Sequence, residues 1–512
     1  MSRRKFQAAI RAALLLAVIT CVLFIPGEGQ TGKALAQSSD IVWNPPINIS
    51  DSPGVTSTDP FLISDPSGKV HLFWAEKGST IPGNQPDTVM YAVWDGKVWS
   101  KPIDIFFSPE SDGTPVVAYP RAVIDDRGYL HLIWLAQPHF PRYALYYSSV
   151  YLPRSQDVHA WQPRVVLADD LSGTKYSADI AFDPEQGLHI LYARVEQGDN
   201  PPEERAVTYI SSQDYGATWT NPVDIDTIPD LHGGASDVRL LLEPPTNVYA
   251  SWTQWDVTGN GQAIVFNRSL DNGQTWEAAR KIAQRIGNEY ERDWNNMTLL
   301  GPGQIVTMFE GGWRAYRYAM YSYDSGVTWS DPVDTFPWLI GENGSVEYLR
   351  DSNGTLHLFI AQRVREGYTD RGDANLAALW HSEWEGGTRW SEPEFVGALV
   401  NLINPKATIA AGNQIVTTWY TQNDLDIFVM IGTIQNAPRV VQESLPTEIP
   451  PPTVVPTATL PPAPIGTSQV QPLFTEDNNI AAPAQPGIPI ALGIGISLLV
   501  IFVTVFIFMR RH

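Results

Sequence analysis

The stretch "SYDSGVTWS", Ser322 to Ser330, sets a hydroxyl (Ser322), a carboxylate (Asp324), a glycine (Gly326) and a tryptophan (Trp329) at fixed offsets. The same offsets return at Ser212, Asp214, Gly216, Thr218 and Trp219, and again at Ser269, Asp271, Gly273, Thr275 and Trp276. In such a stretch the aspartate accepts backbone N–H bonds across a tight turn and the glycine supplies a positive φ. The tryptophan then buries its ring between neighbouring sheets. Three copies make a repeat, and the role they imply is structural.

Working outward, tryptophans followed by a short alternating strand pattern, usually with a proline, recur at Trp43, Trp99, Trp161, Trp219, Trp276, Trp329 and Trp390, 53 to 62 residues apart. Between them lies a second signature: "GKVHLFWAE" from Gly68, "GYLHLIWLA" from Gly128, "GLHILYAR" from Gly187, "NVYASWTQ" from Asn247, "GQIVTMFEG" from Gly303 and "GTLHLFIAQ" from Gly354, with "NQIVTTWYT" from Asn413 after Trp390. Short β-rich runs divided by glycine, asparagine and aspartate turns at a long fixed period predict radially repeated four-stranded antiparallel sheets, a β-propeller. The final unit, 404 to 436, supplies three strands, and the chain begins with one orphan strand around Trp43. Pairing the orphan with the last three closes an all-β, seven-bladed ring over 37–436 and removes its exposed edges.

The ends are of another kind. Residues 1–36 carry Arg3, Arg4 and Lys5, the apolar run "AALLLAVITCVLFIP" and the small residues of "ALAQ", which predict an export signal cleaved near Gln37. Cys21, the single cysteine, falls inside that run, so the exported protein is expected to carry no disulfide. Residues 437–487 include "ESLPTEIPPPTVVPTATLPPAP", which predicts an extended Pro/Thr-rich stalk. Residues 488–509, within "IPIALGIGISLLVIFVTVFIFM", are long and apolar enough for one transmembrane helix, with Arg510, Arg511 and His512 as a cytoplasmic tail. The expected protein is therefore a single-pass cell-membrane protein with its N-terminal domain outside. Net charge is −21, and the basic residues of leader and tail leave the middle more acidic still. That argues against nucleic acid as a partner, and it requires any anion site to be a local basic focus.

The nine-residue stretches resemble the Asp boxes of the sialidase (BNR-repeat) superfamily. Trp99 and Trp390 end degenerate copies, "WDGKVW" and "SEWEGGTRW", and the underlying repeat covers about 43 to 436. If the boxes lie on one face, strand alternation puts the start of each innermost strand and the end of each second strand on the other. The innermost-strand column reads Phe61, Arg121, Asp179, Arg239, Asn296, Glu347 and Lys406. The second column reads Glu76, Ala136, Arg194, Gln254, Gly311, Gln362 and Thr421, flanked by Glu310 and Tyr420. Both columns are expected to converge on the mouth of a central channel, where ligands usually bind. Arginines there can grip a carboxylate, and a nearby carboxyl with a raised pKa can serve as acid or base. The plain alternative is that opposite charges simply pair along a water-filled channel.

Sialidases place three arginines on the substrate carboxylate, beside a tyrosine nucleophile activated by a glutamate and an aspartate acid/base. The resemblance puts Arg121, in "YPRAV", at the position of the family's Phe/Tyr-Arg-Ile-Pro arginine. Arg239 stands second, and Lys406, Arg292 or Arg317 third. Glu347 and Glu310 are then candidate activators, and Tyr420, Tyr316 or Tyr348 the candidate nucleophile, with Asp179 or Glu347 in proton transfer. This sequence departs from the motif, since Pro120 precedes the arginine and Ala122-Val123 replaces Ile-Pro; the family's catalytic propellers also have six blades, against seven here.

The expected ligand is an extracellular glycan or other surface ligand, met either by a binding module or by an exo-acting glycoside hydrolase, with no cofactor. His71, His131, His189 and His357 fall at equal offsets in separate units, which predicts repeat architecture and no metal cluster. "DVTGNG" after Trp255 lacks a complete calcium-loop signature, and "NEYERDWNN", 288 to 296, reads as a polar loop before an innermost strand.

Overall fold

Leu72 and Trp74 face one way and Phe73 and Ala75 the other, and all four are fully buried. Leu72 and Trp74 pack with Ala410, Val416 and Val429 from the last unit of the repeat, whereas Phe73 and Ala75 pack with Leu132, Trp134 and Tyr146 from the next unit. A strand buried on both faces reads as a continuous apolar run, as this signature does. The core is therefore a series of layers between sheets, each at roughly 25 cal/mol per Å² of apolar surface removed from water.

The computed structural model describes residues 40–448 apart from 78–86, 108–116, 140–141, 172–176, 196–204, 229–232, 257–259, 286–291, 313–314, 342–343, 365–376, 399–401, 422–424 and 442–444. It contains seven blades of antiparallel strands. Blade 1 is Thr56–Ser64, Val70–Lys77, Thr88–Trp94 and Ile103–Phe107 from hub to rim. Blades 2 to 6 begin at the hub with Val117–Ile124, Ala178–Asp183, Gly234–Glu243, Arg292–Gly301 and Glu347–Arg350. Blade 7 is Leu402–Ala410, Gln414–Thr421 and Ile427–Ile434, completed by the first strand of the chain. There Ile41, Val42 and Trp43 pair with Ile434, Thr433 and Gly432, and Ile47–Asn48 continues beside Val429 and Phe428. The expected closure and blade count hold. The innermost strands touch one another in ring order and form the hub. Two single-turn 3-10 helices, Leu152–Arg154 and Val158–Ala160, are the helical elements among the described residues. No helix among them is long and apolar enough to cross a membrane, and the expected leader and span lie outside the described residues.

The three nine-residue turns are near copies. Ser269 Oγ donates to Asp271 Oδ1 (2.7 Å) and accepts from Gly273 N (2.8 Å), while Thr275 donates its N–H to Oδ1 (2.8 Å) and its hydroxyl to Oδ2 (2.5 Å). The sets at Asp214 and Asp324 match within about two tenths of an ångström, inside hydrogen-bond scatter. In the stretch from Ser322 the donor to the serine hydroxyl is Gly326 N (2.8 Å), as its place in the repeat requires. Each tryptophan stands edge-on to an aromatic of the preceding blade: Trp219 on Tyr147 (5.3 Å), Trp276 on Tyr209 (5.0 Å) and Trp329 on Phe266 (5.1 Å). Gly273 and Gly326 both have φ +80°. A Cβ would stand 2.0 Å from the Tyr209 hydroxyl at Gly273 and 2.4 Å from the Phe266 ring at Gly326, so backbone angle and close packing both demand glycine.

The repeated histidines lie on this same face. In blade 1, His71 Nδ1 meets the Tyr91 hydroxyl at 2.5 Å and Nε2 faces Asp65 Oδ2 at 3.4 Å. In blade 2, His131 lies 2.7 Å from Tyr147 Oη and 3.2 Å from Asp125 Oδ2. Each tether ties a strand to the turn below it.

Composition assigns residues from 437 on to the stalk, yet the described ones up to 448 are docked on the turn-bearing face. Val440 N donates to Ala411 O (2.8 Å), Tyr151 Oη donates to Pro446 O (2.5 Å), and Arg154 pairs with Glu448 (3.4 Å). The described chain therefore ends against blade 2, on the face opposite the starts of the innermost strands.

Candidate functional site

Five innermost strands carry the same irregularity. The ladder slips between Thr58 and Phe61, Ala118 and Arg121, Ser236 and Arg239, Asp293 and Asn296, and Ile403 and Lys406. In each slip one non-glycine residue takes a positive φ: Asp59 (55°), Tyr119 (54°), Asp237 (48°), Trp294 (51°) and Asn404 (49°). Asp and Asn tolerate that region best, and three of the five positions carry them. A bulge bends its strand and re-aims the side chain that follows. The residue two places on is in every case the innermost-column residue, so the bulge is the device that aims the column.

Two cations of that column, from blades 4 and 7, meet on one hydroxyl, and Arg121 of blade 2 lies in electrostatic range of Lys406. Lys406 Nζ bonds Glu347 Oε1 (2.5 Å) and Ser345 Oγ (3.3 Å), and Arg239 Nη2 donates to the same Ser345 Oγ (3.3 Å). Arg239 Nη1 donates to its neighbour Val238 O (3.0 Å), and Nη2 stands 3.8 Å from Asp237 Oδ1. Arg121 lies over the Phe61 ring (5.2 Å) and donates to Pro120 O (3.0 Å). Asp179 Oδ2 accepts the Leu240 N–H (2.9 Å). Arg121, Arg239 and Lys406 are each less than a tenth exposed.

The crowding shifts the ionisable groups. Burial, reinforced by repulsion from Arg121 and Arg239, brings the Lys406 ammonium down to about 8 against the opposing pull of Glu347. Burial raises the Asp179 carboxyl, with Arg239 and Arg121 opposing. The hub thus holds like charges together at mutual cost, with carboxyls between them. An incoming carboxylate can replace the long contacts to Ser345 with short, charge-assisted bonds.

A second group joins Tyr420, a candidate nucleophile from the sequence, to residues that the sequence does not single out. Tyr119 is held far above the ordinary phenol range by burial, with Asp59, Tyr420, Tyr143 and Asp237 all in electrostatic range. Burial and then Asp59 raise Tyr420, while burial, Asp87 and Asp59 raise Tyr143. Three tyrosines from blades 2 and 7 are therefore in electrostatic range of one buried carboxylate from blade 1. The available signal was the residue two places before each column position, where Asp59, Tyr119, Asp237 and Asn404 recur.

The remaining candidates disperse. Arg194 pairs with Asp224 on the outer strand of its own blade at 2.6 Å, and it bridges to blade 2 through the backbone pair Leu171–Arg194. Glu76 accepts from Ser52 (2.9 Å), Ser57 (3.4 Å) and Trp74 Nε1 (3.4 Å). Gln254 stands opposite Ala235, and the buried Gln362 donates to Ala315 O (2.9 Å). Arg292 lies over Tyr318 (5.5 Å). Glu310 is buried opposite Asp293 and Arg317. Arg317 is fully buried with Nη2 on Gly344 O, and burial lowers it to about 10 against Tyr348, Asp293 and Asp237. Tyr348 has its hydroxyl buried in electrostatic range of that guanidinium, and Tyr316 packs edge-on to Tyr318 (6.5 Å).

No family model matches the chain, and no curated protein is similar to it in sequence. Solved structures are similar in fold. The lectin BP39L of Burkholderia pseudomallei superposes with a TM-score of 0.51 at 13% identity, over 76% of this chain and 97% of its own. A polysaccharide lyase, an ulvan lyase, gives 0.51 at 13% identity, over 77% and 97%. A Hadza microbial sialidase gives 0.42 at 14% identity, over 75% and 66%. At such identities the likeness is one of fold. The chain has the propeller architecture expected from its nine-residue turns.

Proposed function

We propose that this propeller recognises an acidic extracellular glycan, seating a sugar carboxylate on Arg121, Arg239 and Lys406 at the hub. The observation that carries the reading is the meeting of Arg239 and Lys406 on one Ser345 hydroxyl, with Arg121 in electrostatic range of the lysine, in a chain whose net charge is −21. A basic focus inside an acidic surface selects an anion by position, where general attraction is absent. Two propellers of like fold are described as a lectin and as a polysaccharide lyase bound to -[GlcA(1-4)Rha3S]-, which supports a carbohydrate over a phosphate ligand. The leader, stalk and apolar C-terminal stretch support display outside the cell from a membrane anchor.

A second reading, exo-acting hydrolysis, is favoured by the tyrosines in electrostatic range of Asp59 and by the carboxyl of Asp179, raised by burial against the pull of Arg239 and Arg121. In that case Asp179 acts as proton donor, with Tyr420 and Asp59 beside the sugar. One experiment addresses both readings: the full-length protein, wild type and Arg121→Ala, is applied to a glycan array and to a fluorogenic sialoside panel. Selective retention of uronic or sialic acid glycans, cut at least tenfold by the substitution, supports recognition. Turnover that depends on Arg121 supports hydrolysis. Silence on both, or equal signals from the two proteins, removes the hub as the site.

A further inference from the structure

Blade 6 breaks the histidine pattern of the turn-bearing face. In blades 1 to 3 the second-strand histidine has a tyrosine diagonal to it and an inert residue directly opposite: His71 with Tyr91 and Val93, His131 with Tyr147 and Ser149, His189 with Tyr209 and Ser211. In blade 6, His357 on Leu356–Val364 stands directly opposite Glu383 of Ala378–Gly386, with His381 at the diagonal position. Both neighbours have therefore changed at once, the tyrosine to histidine and the valine or serine to glutamate. Alternation along the strand puts His381 and Glu383 on the same sheet face as their partner.

His357 Nδ1 lies 2.9 Å from His381 Nε2 and 3.5 Å from Glu383 Oε1, and the last two atoms are 4.0 Å apart. A triangle with those edges has a point about 2 Å from every corner, the bond length of zinc to imidazole nitrogen or carboxylate oxygen. On the far side of the ring, His357 Nε2 faces Asp351 Oδ2 at 3.5 Å, the outer carboxylate that commonly orients a metal-bound imidazole. Both imidazoles are almost fully buried, while the Glu383 side chain is 39% exposed, so the cluster opens to solvent on the glutamate side. The further charges in range of Glu383 are Asp40, Asp351 and Glu394, all acidic.

We propose that His357, His381 and Glu383 bind a divalent transition-metal ion of the zinc class, with solvent in the remaining position. The site is separate from the hub and independent of its function. Two imidazoles select such an ion over calcium or magnesium, which prefer all-oxygen shells. The sequence pattern led away from a metal because matching histidines of different blades lie far apart. The relevant partner is a second histidine within one blade, which breaks the repeat and so escapes a search for it. Without an ion, Asp351, His357 and His381 repeat the Asp–His–Tyr chain of blades 1 and 2. His381→Tyr therefore restores a tether the fold already uses.

The test is zinc titration of untagged, chelator-treated full-length protein by calorimetry, with metal analysis after gel filtration. The wild type is expected to take up one zinc, at least hundredfold more weakly in His381→Tyr and at least tenfold more weakly in Glu383→Ser, the residue of blades 2 and 3. Calcium is expected to give no heat of binding in any of the three proteins. Circular dichroism of each variant confirms the fold. Absence of uptake by the wild type at 100-fold molar excess, or equal uptake by wild type and His381→Tyr, overturns the proposal.

Discussion

The two ends of the same strands obey different rules. On the turn-bearing face, Asp214, Asp271 and Asp324 accept the same three side-chain and backbone bonds, and each neighbouring tryptophan leans on the preceding blade. At the hub, equivalent positions carry Phe61, Arg121, Asp179, Arg239, Asn296, Glu347 and Lys406, no two adjacent ones alike. The backbone device is repeated there too, as a bulge with a positive φ in five blades, but the side chains it aims are individual. Repetition marks what every blade needs to stand, and its loss marks what the molecule does once. Blade 6 extends the rule to the turn-bearing face, where its double departure picks out the proposed metal ligands.

If that division is right, a change at the repeated end costs stability and leaves binding alone. Gly273→Ala forces a Cβ to within 2.0 Å of the Tyr209 hydroxyl at φ +80°. Overpacking and the left-handed backbone together cost about 3 kcal/mol. Urea unfolding should show that loss, while the folded fraction keeps its glycan affinity; a stable variant with weakened binding would erase the distinction. The converse change is the paired substitution Lys406→Met with Glu347→Gln. Removing both halves of a buried ion pair leaves neither charge stranded, so stability should hold or rise, by up to about 4 kcal/mol. Affinity for an acidic glycan should fall about tenfold to hundredfold in titration calorimetry, and unchanged affinity would detach Lys406 from the ligand.

The division also explains what the sequence discloses. The period of the tryptophans, the glycine-led second strands and the orphan strand at Trp43 are local patterns, and they suffice for blade count and closure because every blade solves the same packing problem. The innermost column is legible for the same reason: a position fixed by the repeat can be counted even when its residue varies. The second-strand column is less so. Arg194 has a long side chain and an aspartate within reach across its own sheet, so it turns to Asp224, and a rule of alternation does not see a partner two strands away. Asp59 and Tyr119 were hidden because a bulge adds one residue to the ladder, and pure alternation assigns that residue to the wrong side. The docking of the described residues 437–441 and 445–448 rests on backbone groups such as the carbonyl of Pro446, and composition is blind to those.

The smallest predicted effect sharpens the hub alone. With the Lys406 ammonium at about 8, a carboxylate that needs it charged should bind about fourfold more weakly at pH 8.5 than at pH 7, following the protonated fraction. Folding stability runs the other way. A lysine lowered from 10.5 to about 8 on folding binds fewer protons in the native state between those values, so its charged form is a liability that disappears as pH rises through that window. Affinity and stability should therefore separate between pH 7 and 9, the first falling while the lysine's share of the second rises. The opposed slopes belong to Lys406 if both vanish together in the Lys406→Met, Glu347→Gln protein. A carboxylate affinity that is flat across pH 7 to 9 in the wild type would mean that the ligand rests on the two arginines without it.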